Sequence, residues 1–552
     1  MPQLQINQGP QDALLYDNSR SYFTNVAYVR TSNFQMELRD VDPQSQAQFG
    51  STLQFVIPKA ADLLGPTDLI VELPTASDAI GAGKAYGWVE SVGYAMIDKI
   101  IFSVGSHDIE TITGDQLYIQ NELMRADENR YGNNLVGKTG RPLVHAFGAK
   151  NSQDGKPTNA ATADASGDNA AIVAGTLSFE AFNKDRLITA GTDTEGKKTV
   201  TIPLGLFFTK HPSTYFPLCA IAGCNDVRIS IKLRSVKELL QVHSMPKTTS
   251  GADTLDVKTT APDAVTVPTL AFASGDVRLR CHYVHVTGPE ASTLMSKEHV
   301  RLMKLWSNTS KVVEFKADSD ASKWKGQSVN IDLPFLHPVQ ELIFVVRKVS
   351  EMSESTDATA KPSELDQKGR SKTYFAFHGG GTDPNIDSIV NYWEGTYDNK
   401  ADLAQHYLKF KNMKLTLNGQ DRHPALASKG VDREYLMDRL LPMMHSNTTT
   451  YYGDVAKHDE GADWEAKHKR DMKQLKEMLD RKEIYVYPFA LNPENVNPSG
   501  AVNFSKVSHA KLDLEFDVQG SSTDAVSYRI DVWGVHYNWL QIKDGRALTS
   551  FA

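Results

Sequence analysis

Stretch after stretch of this chain places an apolar residue at every second position. Val227, Ile229, Ile231 and Leu233 alternate with Arg228, Ser230, Lys232 and Arg234, and Leu512, Leu514, Phe516 and Val518 alternate with Lys511, Asp513, Glu515 and Asp517. Successive side chains of a strand point to opposite faces, so this period of two predicts strands with one face in a core and one in water. Val277, Leu279, Cys281 and Tyr283 repeat the pattern against Arg278, Arg280 and His282, as do Ile100, Phe102 and Val104 ahead of Gly105, and Val526, Tyr528, Ile530 and Val532. Shorter β-branched and aromatic runs at 28–34, 49–58, 68–74, 200–208 and 484–491 predict further strands. Pro58 and Pro74 close two of them, as suits a residue that cannot donate a ladder hydrogen bond. Helical spacing is confined to short stretches: 115–122, 290–306 with Leu294, His299, Leu302 and Leu305 on one face, and 463–482, where Asp463/Lys467 and Glu465/Lys469 stand four apart.

The strands come in two similar sets. Lys99-Ile-Ile-Phe-Ser-Val-Gly-Ser-His-Asp108 is echoed by Lys414-Leu-Thr-Leu-Asn-Gly-Gln-Asp421: an alternating strand, a glycine turn, a polar tip. Phe216-Pro-Leu before the Val227 strand is echoed by Tyr487-Pro-Phe before the Leu512 strand, and 277–283 is echoed by 526–532. Many short strands with turns between them, occurring twice, predict an all-β chain of two tandem sandwiches of one type. The layout is an arm at 1–24, a first sandwich at 25–290, a connector at 291–310, a second sandwich at 311–546 and a tail at 547–552. Polar stretches at about 147–199, with a hairpin of its own near 177–180, and at 236–275 read as insertions in the first sandwich. A loop at 349–373 and a charged helical insertion at about 452–482 belong to the second.

Composition narrows the functional classes. With 552 residues, 40% apolar and 23% charged, the chain is long enough for two large β domains and has an ordinary globular balance. No apolar run approaches the roughly 20 residues of a membrane-spanning helix, and Met1-Pro-Gln-Leu-Gln lacks the basic and apolar regions of a signal peptide, so the expected compartment is cytosol or nucleoplasm. Cys219, Cys224 and Cys281 are too few for a disulfide scaffold and wrongly spaced for zinc, so they read as reduced, partly buried thiols. The net charge of −8, with no Lys/Arg block, argues against direct nucleic-acid binding.

Candidate chemistry is thin. His107, Asp108 and Glu110 cluster at a turn, which would suit acid–base or metal chemistry but reads more simply as a polar tip. Gly379-Gly-Gly381 lacks the Lys-Ser/Thr that completes a phosphate cradle, and Asp421-Arg422 reads as a turn with a surface ion pair rather than half a catalytic pair. No His-Glu-x-x-His and no Gly-x-Ser-x-Gly is present, so neither catalysis nor a cofactor or metal is expected. Asn308, Asn447 and Asn503 fit the glycosylation pattern but carry little weight without a leader sequence. A jelly-roll carbohydrate-binding or carbohydrate-active protein is the alternative reading, with Trp88, Trp393 and Trp464 as the rings that would stack on sugar; for Trp88, which sits in a strand, a core position is favoured.

One series of motifs is more specific. The order Phe489-Ala-Leu, Pro498-Ser499-Gly500, Asn503-Phe-Ser, preceded by Leu333-Pro-Phe-Leu-His337-Pro338-Val and by Leu417-Asn418-Gly419-Gln-Asp-Arg422, resembles the second jelly roll of the double jelly-roll major capsid proteins of nucleocytoplasmic large DNA viruses. In the first half Asn33-Phe34, Phe49-Gly50, Ile57-Pro58, Asp62-Leu-Leu64, Leu73-Pro74, Trp88 with Val92-Gly93, Ile202-Pro-Leu204 and Phe216-Pro-Leu218 follow that family's order too, so the resemblance spans roughly 22–546. It implies two tandem eight-stranded jelly-roll sandwiches with long loop insertions and a few short helices. It also implies a homotrimeric pseudo-hexagonal capsomer, made in host cytoplasm or nucleus and placed in the icosahedral shell of the virion. The partners it implies are further copies, neighbouring capsomers, minor capsid and penton proteins, with proteins of an internal membrane as a further candidate. Within that scheme Asn418, Gly419, His337, Pro338, Pro498, Ser499, Gly500 and Asn503 are structural turn sites that fix the second sandwich.

Overall fold

A computed structural model describes residues 33–75, 84–89, 91–123, 198–223, 225–244, 270–296, 298–315, 325–348, 375, 409–422, 430–445, 484–517 and 526–550. In the first half the chain runs through β1 (Phe34–Val41), β2 (Thr52–Ile57), β3 (Leu63–Glu72), β4 (Lys84–Trp88), α1 (Val92–Ala95), β5 (Ile97–Val104), β6 (His107–Thr113) and α2 (Gly114–Leu123). It continues with β7 (Thr199–Pro203), β8 (Phe216–Pro217), β9 (Val227–Leu233), α3 (Val236–Leu239), β10 (Leu240–Ser244), β11 (Val277–Val286) and α4 (Gly288–Ser296). One sheet has the order β1-β11-β3-β7 with β8 added to β3, a second has the order β2-β9-β5-β6, and β4 and β10 form a separate ribbon. Apart from the β5–β6 hairpin, the chain crosses between the two sheets from β1 to β2, β2 to β3 and β6 to β7, which is the Greek-key winding of a jelly roll.

The alternation read from the sequence builds the core. Leu53, Phe55 and Ile57 of β2, Ile100, Phe102 and Val104 of β5, and Val227, Ile229, Ile231 and Leu233 of β9 are buried, and they meet Leu279, Cys281 and Tyr283 of β11 in one cluster. Phe102 sits centrally, with the rings of Phe208 at 5.0 Å and Phe216 at 5.2 Å. Burying each such side chain contributes about 1.5–3 kcal/mol. Gly65-Pro66 lies inside β3 rather than between two strands: Thr67 pairs with Cys281 and Leu64 with Tyr283, so β3 carries one extra residue there. That bulge is what lets proline sit in mid-strand without breaking the ladder.

The second half contains β12 (His299–Phe315), β13 (Lys325–Asp332), β14 (Pro338–Lys348), β15 (Lys409–Leu417), β16 (Gln420–Asp421), β17 (Val431–Asp432), β18 (Tyr485–Pro488), β19 (Val502–Asn503), β20 (Ala510–Asp517), β21 (Val526–Lys543) and β22 (Arg546–Thr549). Its sheets have the orders β12-β21-β14-β18, with β19 on β14 and β22 on β21, and β13-β20-β15-β16, with β17 on β15. Reading β12, β14, β18 and β21 for β1, β3, β7 and β11, and β13, β15, β16 and β20 for β2, β5, β6 and β9, reproduces the first half strand for strand. The fold is therefore a double jelly roll. It is not a plain eight strands per half, because β8, β17, β19, β22 and the β4–β10 ribbon are added to that plan.

Three sequence expectations need correction. The helix expected over 290–306 stops with α4 at Ser296; from His299 the chain is β12, paired along its whole length with β21 from His299↔Ile542 to Phe315↔Val526. Leu302 and Leu305 fit a helical face on spacing alone, but a partner strand of matching length decides between two readings that period cannot separate. The connector at 291–310 is thus largely the opening strand of the second jelly roll. The tail at 547–552 is a strand through Thr549: Asp544 (φ 51°) and Gly545 (φ 73°) form a two-residue turn that folds β22 back on β21. The polar loop expected from 236 begins with α3 and with β10, which pairs with β4. The helix expected over 115–122 is α2. The arm at 1–24, the hairpin near 177–180 and the charged helix at 452–482 lie outside the described residues.

The halves share a sheet. In β14, Leu342, Phe344 and Val346 enter the core of the second jelly roll, while the intervening Ile343 and Val345 join the core of the first. In β21, Ile530 and Val532 belong to the second core, and Trp533 and Val535 to the first. The β14 strand and the middle of β21 are therefore covered on both faces, by their own sandwich and by the first half, while the edge strand β12 stays partly exposed. Phe375 stacks on Tyr118 of α2 at 4.0 Å, and the Gly545 carbonyl accepts from the Ala222 N–H at 3.0 Å and from Asn225 Nδ2 at 2.9 Å, which closes the seam at its other end.

Candidate functional site

The turn residues singled out from the sequence converge on one corner of the second jelly roll. His337 adopts a left-handed φ of 68° that swings the chain into Pro338 and β14. Its N–H donates to Ser505 Oγ at 3.0 Å and its carbonyl accepts from Phe504 N at 3.0 Å. Pro338 pairs with Asn503, whose side chain caps the following helical turn by accepting from Ser505 N at 3.0 Å. Ser499 Oγ accepts from Asn492 N at 2.9 Å and donates to the Asn492 carbonyl at 3.0 Å, closing the loop that Pro498 and Gly500 flank. Gly500 has φ 137°, and a Cβ there would stand 3.1 Å from the Phe489 carbonyl oxygen. Phe489 N and Ala490 N both donate to the Gln340 carbonyl, at 2.7 and 3.0 Å, so this loop is tied to β14 as well.

Asn418 and Gly419 make the two-residue turn between β15 and β16, with φ 53° and 75°, the conformation for which Asn-Gly is favoured. Asn418 Oδ1 accepts from Ser508 N at 2.8 Å and from Ser508 Oγ at 3.1 Å, and Asn418 N donates to the His509 carbonyl at 2.8 Å. The fourth motif is thereby joined, through 508–509, to the chain leaving the corner.

Two clusters of buried charge went unseen in the sequence. Arg347 of β14, 1% exposed, pairs with Asp531 of β21 through Nε at 3.1 Å and through Nη2, and with Asp115 of α2 at 3.1 Å. Arg529 Nε adds a bond to Asp531 at 2.7 Å. Burial works against the Asp115 carboxylate, but the charges of Arg347 and Arg234 outweigh it and hold its pKa below the usual range. This triad bolts the helix of one jelly roll to the inner strands of the other. The only signal for it was an Arg and an Asp at alternating positions of otherwise apolar strands, which is the mark of a paired buried charge.

The second cluster is centred on His445, which ends the helical run at 433–444. Its Nε2 meets Glu341 of β14 at 2.9 Å and its Nδ1 meets Glu494 at 3.4 Å. Burial alone would lower its pKa, but the two carboxylates raise it to about 9, so the imidazole is a cation at neutral pH. Beside it Lys304 Nζ donates to the Pro493 carbonyl at 2.9 Å, and burial together with nearby Lys210 brings its pKa down to about 8. Tyr537 donates to Gln340 Oε1 at 2.7 Å. The behaviour of His536 is opposite: burial lowers its pKa to about 4, and the His337 ring lies 5.2 Å away. These charges are engaged with one another and with backbone, in geometry suited to holding segments together.

The sequence candidates for chemistry do not assemble. Glu110 is buried and accepts from Phe207 N at 2.8 Å, while His107 and Asp108 of the same turn are exposed. Asp421 pairs with Lys414 at 2.7 Å and Thr416 Oγ1 at 2.9 Å, so its ion pair is with its own hairpin strand. Among the described residues no group of three or more His, Cys, Asp or Glu side chains could hold a metal ion. Cys281 is buried and Cys219 half-buried, both as free thiols. Trp88 is buried beside Phe49 at 5.9 Å, a core position rather than a stacking platform. Gly379–Gly381, Trp393, Trp464, Asn447 and Cys224 lie outside the described residues.

The fold and the doubled strand order define the class: a double jelly roll. Residues 21–286 match the family described as "Major capsid protein N-terminus". The major capsid protein of Phaeocystis pouchetii virus is 25% identical, with 98% of this chain and 97% of that protein covered. That of Paramecium bursaria Chlorella virus 1 is 19% identical over 99% and 98%. Among solved structures, PBCV-1 VP54 aligns with a TM-score of 0.57 at 16% identity, covering 96% of this chain and all of that one. The Faustovirus major capsid protein aligns with 0.55 at 14%, covering 95% and 93%. Over nearly its whole length the chain is thus similar to major capsid proteins of large DNA viruses.

Proposed function

We propose that this protein assembles as a homotrimeric, pseudo-hexagonal capsomer and that such capsomers tile the icosahedral shell of the virion. The observation that carries this reading is the strand-for-strand duplication across a shared sheet whose β14 strand is buried on both faces. Two similar wedges fixed side by side in one chain give six in a three-fold ring, and a closed ring of heterologous contacts is the ordinary route from such a unit to a finite tile. Neighbouring capsomers, minor capsid proteins and penton proteins are the partners such a tile meets. The His337-Pro338, Asn418-Gly419, Pro498-Ser499-Gly500 and Asn503 turns serve as structural sites that set the second sandwich, and the domain limits are those of the two jelly rolls on either side of α4. Light scattering on the purified full chain tests the reading: a stable species of three chains with a hexagonal outline in negative stain is expected, and a monomer at every concentration would overturn it.

A further inference from the structure

We infer that His536 and His337 form an acid-operated release at the corner of the second jelly roll: with both rings neutral the corner between His337-Pro338 and residues 499–505 is closed, and with both protonated it opens. The inference goes beyond the capsomer reading and concerns the single chain.

The geometry sets two imidazoles against each other inside that corner. His536 of β21 is 5% exposed and pairs in register with Leu305 of β12 on one side and Val339 of β14 on the other. Its Nδ1 lies 3.4 Å from Ser307 Oγ and 3.4 Å from the Gly534 carbonyl oxygen, and its ring centre is 5.2 Å from that of His337 with 30° between the planes. Among the described residues no carboxylate comes within ion-pair distance of His536. The charged groups of the elements around it are committed elsewhere. Glu341 of β14 pairs in register with Val535 and binds His445 at 2.9 Å, and Asp531 of β21 binds Arg347 and Arg529. Arg301 and Lys304 of β12 donate to the carbonyls of Tyr215 and Pro493, and Lys506, which ends the turn at 504–506, is exposed.

His445 supplies the contrast within the same chain. It too is 5% exposed, yet Glu341 and Glu494 hold it as a cation. With burial equal, the neighbours decide the charge. The neutral pair also stands where repulsion can act. His337 has a left-handed φ of 68°, and its N–H and carbonyl make the bonds to Ser505 Oγ and from Phe504 N that fasten the turn to the start of β14. Driving the His337 ring away from a charged His536 rotates the residue that carries both bonds. A residue already strained is where local opening costs least.

The sign follows from the two states of His536. Its pKa is about 4 in the closed corner, chiefly through burial, and the ordinary 6.5 once the ring reaches water. The closed corner is therefore fully stable above pH 6.5 and loses stability as pH falls toward 4, the opening equilibrium gaining up to about 300-fold. Glu110 of the first jelly roll titrates in the same range with the opposite sign, its pKa being raised to about 7 by burial, so the readout must be local.

The test is amide hydrogen exchange of the full chain at about pH 7.5 and about pH 4.5, corrected for the intrinsic rate. The amides of Phe489, Ala490 and Phe504, which donate across the corner, should open on the order of fiftyfold more readily in acid, while those of β9 in the first jelly roll should not follow. In His536→Phe, which keeps a ring in place but takes no proton, that gain should vanish. An equal gain in variant and wild type, or none in wild type, overturns the inference. His337→Asn accepts the left-handed backbone without a titratable ring and should show a smaller gain; an undiminished one would rule out the pair. A measurement on wild type alone covers a variant that fails to fold. Exchange of the imidazole carbon-bound hydrogen should show His536 half-protonated near pH 4, and a midpoint near 6.5 would overturn the inference.

Discussion

The same sheet face occurs twice in this molecule and is treated in two ways. On the second jelly roll, β14 and β21 present Ile343, Val345, Trp533 and Val535 to the first half, all buried, with Arg347 and Asp531 as an internal ion pair. On the first jelly roll, β1 and β11 present Phe34, Met36 and Leu38 beside Asp40, Arg278 and Arg280, all at least partly exposed, while Ile70 of β3 and Val284 of β11 on the same face are buried. Topology is shared; burial is not. A fold of this kind fixes where a face points, and the residues on it record what lies opposite. The desolvated charges of Arg347, Asp115 and Asp531 are held by ion pairs, whereas ions at the outer face of the first jelly roll retain water and depend less on their partners.

Breaking the buried side should have the largest effect. Arg347→Met leaves Asp115 and Asp531 facing each other without their cation, and the loss should be about 3–5 kcal/mol in a denaturant titration. Replacing all three with apolar residues of similar size should recover most of it, because the penalty lies in the uncompensated charge rather than in the missing bonds. If the triple variant were as unstable as Arg347→Met alone, the network would be holding the halves together by more than charge balance.

His445 gives the next effect, and its sign follows from its pKa. The folded value of about 9 lies above the ordinary 6.5, so the stabilisation is complete below about pH 6.5 and is lost as pH rises through 9. The difference in unfolding free energy between wild type and His445→Gln should therefore be on the order of 3 kcal/mol at pH 6 and shrink steadily toward pH 10. Taking the difference matters, because Lys304 titrates in the same region with the opposite sign: its pKa is depressed to about 8 and its penalty is relieved as pH rises. A difference that does not change with pH would show that His445 holds Glu341 and Glu494 by packing rather than by charge.

How much of this was legible in the sequence differs from one feature to another. The strands of β5, β9, β11, β20 and β21 could be read because one face meets a core and the other does not, which leaves a period of two in the residues themselves. Asn418-Gly419 could be read because the turn demands positive φ and few residues accept it; Asp544-Gly545 carries the same signal one strand from the end, with only the short β22 beyond it. The first part of β12 could not be told from a helix, since its partner lies more than 200 residues away in β21 and nothing local records the pairing. Arg347, Asp531 and His445 stayed hidden for a related reason. A charge in an apolar strand announces that it has a partner, but the identity of the partner is tertiary information.

Asn418→Ala sharpens the comparison at smaller scale, on a turn whose counterpart between β5 and β6 has Gly105 (φ 61°) in the place of Asn418. The substitution removes the acceptor for Ser508 N and Oγ and places alanine at φ 53°. The combined loss should be about 1–2 kcal/mol, read as a lower thermal midpoint. Asn418→Gly should recover the backbone part and leave only the loss of the two side-chain bonds.

Arg280→Met should have the smallest effect on the chain and the most informative contrast. Its pairs with Asp40 have good geometry but lie in solvent, so the unfolding midpoint of the isolated chain should not move measurably, in contrast to Arg347→Met. The contrast should fade on assembly. If this outer face is covered by a neighbour, Asp40 loses its water in the trimer, and the variant should then dissociate at lower denaturant than wild type while unfolding as a monomer at the same point. The two arginines occupy matching faces of a duplicated fold, one sealed within the chain and the other partly exposed. Equal behaviour of Arg280→Met and wild type in both measurements would mean that this face stays in solvent even in the assembled protein.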